Sequence, residues 1–184
     1  TGENNTFEGY KTLDEPQAKV LALYRNGAQV EEAAAGDDVI VVLDKTPFYA
    51  EMGGQVGDVG ILENGTTLLQ VTDTFRIKES VFGHAAHIKE GSLKAGDVLD
   101  AQVDQATRAA VARNHSVTHI MHKALREVLG AHVAQKGSLV NSKVTRFDFT
   151  HDKPMTTEQI AEVEDIVNTE ILANTPVLAR EMSI

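Results

Sequence analysis

The chain has 184 residues, and 17 Lys and Arg against 27 Asp and Glu give a formal net charge of −10 at pH 7. With 42% hydrophobic and 24% charged residues, the composition is globular and excludes disordered, collagen-like and coiled-coil classes. The longest strongly apolar run, residues 39–43, is far shorter than the roughly 20 residues of a membrane span. Without cysteine the chain forms no disulfide and offers no thiolate metal ligand. We therefore expect a cytoplasmic protein with no membrane contact.

Residues 10–103 carry short apolar groups that are separated by glycine and other turn residues. These groups lie at 20–24, 39–43, 66–72, 81–88 and 98–103. Short strands at this spacing are typical of a small β-barrel or sandwich. The pairs Asn26-Gly27 and Asn64-Gly65 predict type I′ hairpin turns, because both central positions of such a turn require positive φ.

A long amphipathic helix is predicted over residues 105–129. From Val117 to Leu129 the apolar residues recur at spacings of three and four, which places them on one helix face. Gly130 stands where a C-terminal cap is expected. The change from strand to helix period places a boundary between two folded parts near Asp104.

A β-hairpin is predicted after this helix, with strands at 133–140 and 143–150 on either side of Asn141-Ser142. A second helix then begins at Thr156 or Thr157 and ends at Pro176. Its predicted buried stripe consists of Ile160, Val163, Ile166, Val167 and Ile171. A last strand is predicted at 177–182.

These elements together predict an α+β fold in two parts. Residues 1–104 form a small glycine-rich β-barrel, and residues 105–184 form a layer in which two helices cover one face of an antiparallel sheet. The chain begins with Thr rather than Met, and its last strand has no partner before Ile184. We therefore expect an excised piece whose second part is truncated.

The predicted first helix carries three histidines on one arc, because positions i, i+4 and i+7 are neighbours on a helix. They are His115, His119 and His122. A pair four residues apart can chelate a metal, although a solvated polar face is the commoner meaning of such a pair, and Arg126 shares the arc. Ser116 stands where the H-E-x-x-H metalloproteases need glutamate, which excludes that chemistry.

Residues 46–58, here named the glycine-rich segment, contain three glycines within a short stretch. The segment has no G-K-[ST] and no helix pattern after it, so it is not a phosphate loop. It is either a tight barrel corner that needs unusual backbone angles or a backbone surface that approaches a ligand closely. The residues alone leave both interpretations open.

Four blocks, residues 46–57, 114–122, 132–140 and 146–149, resemble in order and spacing the editing region of the bacterial alanyl-tRNA synthetases. The likeness covers nearly the whole chain. It implies an internal fragment of such an enzyme, containing the barrel and the first part of the editing domain. The implied activity is hydrolysis of tRNA(Ala) mischarged with serine or glycine, with little activity in the fragment alone.

The resemblance also implies a zinc site. In that family, zinc is held by the two histidines of the H-x-x-x-H helix together with a cysteine and a histidine from a later C-x-x-x-H. By match, the first two ligands are His115 and His119, and the site is incomplete here because the chain has no cysteine. ATP is implied only for an aminoacylation domain that lies outside this sequence.

Two further residues are candidates for catalysis. Gln135 matches a glutamine of the family's editing pocket, where a neutral amide can bind an aminoacyl group or position water without titrating; the alternative is an ordinary polar strand residue. Thr118 lies beside the implied zinc ligands. Its hydroxyl would help to discriminate serine, unless it only bonds back to the preceding helical turn.

The implied partners are the acceptor end of tRNA(Ala) and other domains of the same synthetase. Local positive charge for RNA is available from Lys123, Lys136, Lys143 and Arg146, although any solvated surface also shows such cations. We expect His122 to be exposed.

Two rival interpretations remain. One is a freestanding trans-editing deacylase, and the other is a non-catalytic module that docks RNA or another domain. We expect the fragment to be monomeric.

Overall fold

A computed structural model describes residues 6–9, 12–78 and 80–174. The described residues form thirteen strands and two α-helices. In chain order these are β1 (Thr6–Phe7), β2 (Asp14–Arg25), β3 (Ala28–Val30), β4 (Glu32–Ala34), β5 (Asp38–Leu43), β6 (Lys45–Thr46), β7 (Gly60–Glu63), β8 (Leu68–Lys78), β9 (Val81–Glu90), β10 (Ser92–Lys94), β11 (Val98–Val103), α1 (Gln105–Leu129), β12 (Gln135–Val140), β13 (Thr145–Phe149) and α2 (Thr157–Ala173). The strand predicted at 177–182 lies outside the described residues.

Six of the strands form a closed antiparallel barrel, in the order β11-β7-β8-β9-β5-β2, and the pairing of β11 with β2 closes the ring. In β11, Leu99, Ala101 and Val103 are buried and alternate with exposed side chains, as expected where one face of a strand meets a core. A barrel this narrow is filled by its own side chains. The predicted barrel is therefore confirmed.

The two predicted hairpin turns have different outcomes. Asn26 and Gly27 both have positive φ, 53° and 79°, which fits the predicted type I′ turn between β2 and β3. At the other site Gly65 has positive φ but Asn64 does not. There the connection is longer, and the Asn64 side-chain oxygen accepts hydrogen bonds from the backbone of Thr66 and Thr67. The type I′ prediction at Asn64-Gly65 is wrong, because the side chain closes the turn instead.

Helix α1 has the bounds that its apolar period predicts. Asp104 caps its start by accepting a 2.9 Å hydrogen bond from the Thr107 backbone, and the Gly130 N–H donates to the Arg126 carbonyl at its end. Helix α2 begins with a capping box in which Thr156 and Gln159 bond to each other's backbone. Both helix starts are therefore encoded locally.

The two helices and the β12–β13 hairpin share a second hydrophobic core, separate from that of the barrel. Its buried members are Ala124, Leu125, Val133 and Val163. The sequence also predicts burial of Ile160 and Ile171, and this is wrong, since they are 45% and 44% exposed. Only the middle of the predicted stripe rests on α1 and the hairpin; its two ends extend past the surface that the described residues offer.

The described residues thus form an α+β arrangement, as the sequence predicts. None of their helices has both the length and the apolar character needed to span a bilayer.

Candidate functional site

His115 and His119 project from successive turns of α1 and face each other. Their Nε2 atoms are 3.0 Å apart, and their ring centroids are 4.9 Å apart. His115 is half-buried and His119 is exposed. Burial, and secondarily the charge of His119, lowers the pKa of His115 below its usual value. This favours the neutral imidazole, which is the form that binds metals.

His122 is predicted to be exposed, but the structure shows it half-buried. Its ring lies 5.1 Å from that of Phe147, and its Nε2 is buried with no hydrogen-bond partner among the described residues. The reason is that the buried positions of α1, Val111, Thr118 and Leu125 among them, lie beside the histidine arc rather than opposite to it. The hairpin therefore covers part of the arc.

Thr118 is buried, and its hydroxyl is engaged within the protein. It donates back to the Asn114 carbonyl at 3.1 Å, which is the local bond that the sequence allows for. Its oxygen also lies 2.6 Å from the Thr145 hydroxyl on β13. Thr118 thus links α1 to the hairpin, a contact that sequence spacing does not reveal.

Gln135 stands at the start of β12 and is linked to the glycine-rich segment through one serine. Its side-chain Nε2 donates to Ser138 Oγ at 3.0 Å, and that hydroxyl donates to the Gly53 carbonyl at 3.1 Å. The Gln135 Oε1 has no donor among the described residues. One amide oxygen is therefore available to a ligand.

The glycine-rich segment lies directly against β12. The Val140 N–H donates to the Gly54 carbonyl at 2.8 Å, and the Val56 N–H donates to the Val140 carbonyl at 3.0 Å. A Cβ at Gly54 would stand 2.4 Å from the Ser138 carbonyl oxygen, so glycine is needed there for the close approach. The segment is a tight connection of the barrel part, as one of the two sequence interpretations has it, and its approach to a ligand stays a prediction.

The start of the glycine-rich segment is anchored by a buried histidine. His84 donates from Nδ1 to the Val41 carbonyl at 2.8 Å and accepts at Nε2 from the Thr46 hydroxyl at 2.7 Å, and that hydroxyl in turn accepts from the Phe48 N–H. Burial lowers the pKa of His84 to about 4, against the opposing effect of the bond to Val41. This side chain is therefore a neutral structural link.

All four predicted site residues line one cavity of about 80 Å³. They are His115, Thr118, His119 and Gln135. Its walls also include Gly53 of the glycine-rich segment, and His122, Ser138, Val140 and Phe147. A second cavity of about 300 Å³ lies on the other side of His115, between α1 and the barrel. His115 is the residue that both cavities share.

The distance between the two histidine nitrogens matches the distance between two ligands of a zinc site. Zinc–nitrogen distances of about 2.0–2.1 Å in a tetrahedral site place two ligand nitrogens about 3.3 Å apart, close to the 3.0 Å between the two Nε2 atoms. No group of three or more potential metal-ligating side chains occurs in the part of the chain that the structure describes. Two donors are therefore present, and a tetrahedral site needs the others from elsewhere.

The remaining predicted residues lie at the surface. His132, which is not among the predicted site residues, is also exposed, and its Nε2 lies 2.9 Å from Nδ1 of His151. Lys123 and Arg146 face acidic neighbours, Glu170 at 3.7 Å and Asp148 at 3.2 Å. These contacts are those of a solvated surface, and the role of the cations in RNA binding stays a prediction.

Comparison with known proteins decides the family. Residues 1–107 match the model of the tRNA synthetases class II (A). The chain belongs to this family. Its relatives include the alanine–tRNA ligases of Bordetella parapertussis, 60% identical over 90% of this chain and 19% of that protein, of Paraburkholderia xenovorans, 55% identical over 100% and 21%, and of Methylibium petroleiphilum, 59% identical over 90% and 19%. The resemblance to alanyl-tRNA synthetases is confirmed, and the chain spans about one fifth of the length of these curated relatives.

Sequence reasoning missed several residues that shape the cavity. Ser138 and Phe147 line the cavity and the Thr145 hydroxyl lies 2.6 Å from that of Thr118, but the sequence assigns a role in the site to none of the three. A partial signal existed, because Phe147 belongs to the alternating stretch of β13, whose apolar face must meet a core. The bond from Ser138 to Gly53 joins residues 85 positions apart, and no local pattern predicts it.

Proposed function

We propose that this chain contributes one side of an editing site that hydrolyses mischarged aminoacyl-tRNA within an alanine–tRNA ligase. The observation that supports this most directly is that His115, Thr118, His119 and Gln135 line one cavity next to the glycine-rich segment. The family membership and the names of the relatives support the synthetase context.

The cavity has one glycine in its wall, Gly53, where the backbone of the glycine-rich segment is exposed to a ligand. The cavity also carries polar groups that can bind a polar aminoacyl ester, namely the Gln135 amide and the imidazoles of His115 and His119. On this lining, and on the resemblance to the editing region of the alanyl-tRNA synthetases, we propose serine or glycine esters of tRNA(Ala) as substrates, with the ester bond near His115.

Gln135 is proposed to hold the ester or the attacking water. Its Nε2 is fixed by Ser138, which leaves Oε1 to accept a hydrogen bond from the substrate's amino group or from water. An amide performs this role across the physiological pH range because it does not titrate. Thr118 is proposed to border the side-chain subsite, and its bond to Thr145 sets the direction of its hydroxyl.

His115 and His119 are proposed to hold zinc through Nε2. A zinc ion bound there would supply a Lewis acid for water or for the substrate amino group. The other ligands would come from outside this chain, and so we propose that the fragment has little activity alone. ATP is proposed as a ligand of the aminoacylation region of the larger enzyme.

We also propose that residues 1–104 and 105–184 are separate structural units, which the two separate hydrophobic cores support. The acceptor end of tRNA(Ala) and the other domains of the synthetase are the proposed partners.

The test uses the full synthetase carrying His115→Ala or His119→Ala, with His132→Ala as the matched control because His132 lies outside the cavity. We expect the first two variants to lose bound zinc and hydrolysis of seryl-tRNA(Ala), and the control to keep both. The readouts are zinc content by mass spectrometry and release of labelled serine.

Two outcomes would contradict the proposal. Unchanged zinc content and unchanged hydrolysis in both cavity variants would favour the docking module. Rapid hydrolysis by the isolated 184-residue chain would contradict the proposed incompleteness of the site.

A further inference from the structure

A buried ion pair joins helix α1 to the barrel at the end of the glycine-rich segment. Arg108 lies in the second turn of α1 and donates from Nε to Asp58 Oδ2 at 2.9 Å, and its Nη2 contacts the same oxygen. The Asp58 side chain is 7% exposed and that of Arg108 is 21% exposed. Such a pair is largely removed from water, so its geometry is constrained more tightly than that of a surface pair.

The same guanidinium binds two further segments of the barrel part. Nη1 donates to the Gly9 carbonyl at 2.9 Å, and Nη2 donates to the Pro47 carbonyl at 2.8 Å. Asp58 also accepts from the Tyr49 N–H at 2.7 Å, so it closes the glycine-rich segment on itself. Arg108 and Asp58 together are here named the clasp. The planar fork of arginine suits this set of acceptors, and lysine, with one nitrogen, cannot match it.

The clasp lies on the same helix face as the histidine pair. Arg108 and His115 are seven residues apart, which is about two turns or about 10 Å along the axis. Between them lies the 300 Å³ cavity, lined by Arg108 at one end and His115 at the other. The middle of the glycine-rich segment is held by β12 through Gly54 and Val140. The segment is thus attached at two points, and the cavity lies next to the clasp.

We infer that Arg108 and Asp58 are positioning residues: the clasp sets the rotation of α1 and its distance from the glycine-rich segment, and thereby the width of the site around His115. The clasp does not line the smaller cavity that holds Gln135 and Thr118. It acts through the helix that carries the histidines. The effect on hydrolysis rests on the proposed function, whereas the effect on geometry does not.

The geometric test exploits the absence of cysteine. Spin labels are attached to Met52→Cys, on the glycine-rich segment, and to Glu127→Cys, on an exposed position of α1. Double electron–electron resonance then measures the distance distribution. We expect a narrow distribution in the parent chain and a broader or shifted one in both Arg108→Gln and Arg108→Lys. Arg25→Gln, which removes the pair with Asp37 at the surface of the barrel part, is the matched control and should leave the distribution unchanged.

A double variant, Asp58→Asn with Arg108→Gln, separates positioning from stability. Removing both partners leaves no uncompensated buried charge, so the urea midpoint should recover relative to Arg108→Gln. The distance distribution should stay broad. In the full synthetase, this variant should lower kcat/KM for seryl-tRNA(Ala) hydrolysis about 10- to 100-fold, because misplacement by about 1 Å can cost that much.

Each outcome bears on the clasp. A distribution in Arg108→Gln that superimposes on that of the parent would overturn the inference. A broadened distribution with full hydrolysis, in an enzyme that His115→Ala inactivates, would also overturn it. If the parent synthetase does not hydrolyse seryl-tRNA(Ala), the proposed function fails, and a broadened distribution still supports the geometric role of the clasp.

Discussion

The close approach of the glycine-rich segment to β12 can be measured by comparing two glycines with nearly the same φ. Gly54 and Gly65 have φ of +86° and +88°, but an added Cβ at Gly65 meets nothing within 4 Å, whereas at Gly54 it would lie 2.4 Å from the Ser138 carbonyl oxygen. Alanine should cost about 1–2 kcal/mol at either position through backbone strain. The difference between the two variants therefore reports the contact with β12.

At Gly54 the clash adds a second cost. The segment and β12 must separate, which breaks the hydrogen bonds that join Gly54 and Val56 to Val140. Two bonds at a net value of about 1 kcal/mol each bring the expected loss for Gly54→Ala to about 3–4 kcal/mol, against about 1–2 kcal/mol for Gly65→Ala.

Urea unfolding followed by circular dichroism measures both free energies, and amide hydrogen exchange locates the change. In Gly54→Ala the amides of Val56 and Val140 should lose protection, and in Gly65→Ala they should keep it. Equal destabilisation of the two variants, with both amides still protected, would refute the contact between the segment and β12.

Two further predictions concern buried polar groups. His84 binds its proton more weakly in the folded state, with a pKa of about 4, than in the unfolded state at about 6.5, so its contribution to stability is complete above pH 6.5 and is lost as the pH falls towards 4. The free energy of unfolding of the parent chain should drop by up to about 3 kcal/mol over this window. Urea titrations of His84→Asn should show a smaller drop. The same pH dependence in the variant and in the parent would contradict the role assigned to His84. Thr118→Val and Thr145→Val should each lower the free energy of unfolding by about 1–2 kcal/mol, because each removes one partner of the 2.6 Å hydroxyl pair. The double variant should lose less than the sum of the two single variants. Strict additivity would show that the two hydroxyls do not interact.

Local patterns predicted the elements of this chain well where neighbours in sequence decide the outcome. The three-and-four period between Val117 and Leu129 predicts the second half of α1, since the repeat fits one helix face, and Gly130 stands at its end. The predicted turn type at Asn64 is wrong, because side-chain hydrogen bonds of Asn64 close the turn in place of the type I′ backbone that the Asn-Gly pair predicts. The predicted burial of Ile160 is wrong, because periodicity identifies the apolar face of a helix but not how much of that face a neighbouring element covers.

The four residues that the sequence names as site candidates line one cavity, but the sequence does not predict how they are arranged. His115 and His119 are four residues apart on one helix, so their proximity follows from helix geometry alone. Gln135 reaches the same cavity only because β12 pairs with β13 and packs on α1. That placement depends on contacts between residues far apart in sequence.

The sequence by itself determined the barrel, the two helices, the hairpin and the histidine pair, because each depends on hydrophobic periods and caps within a few residues. Only the tertiary structure decided that the glycine-rich segment lies against Ser138, that His122 is half-buried, and that Arg108 holds Asp58 across 50 positions. The physical reason is that these contacts join residues far apart in sequence. They form only where packing brings the two partners together and removes them from water. Such encounters follow from the way the elements pack, and sequence spacing does not record them.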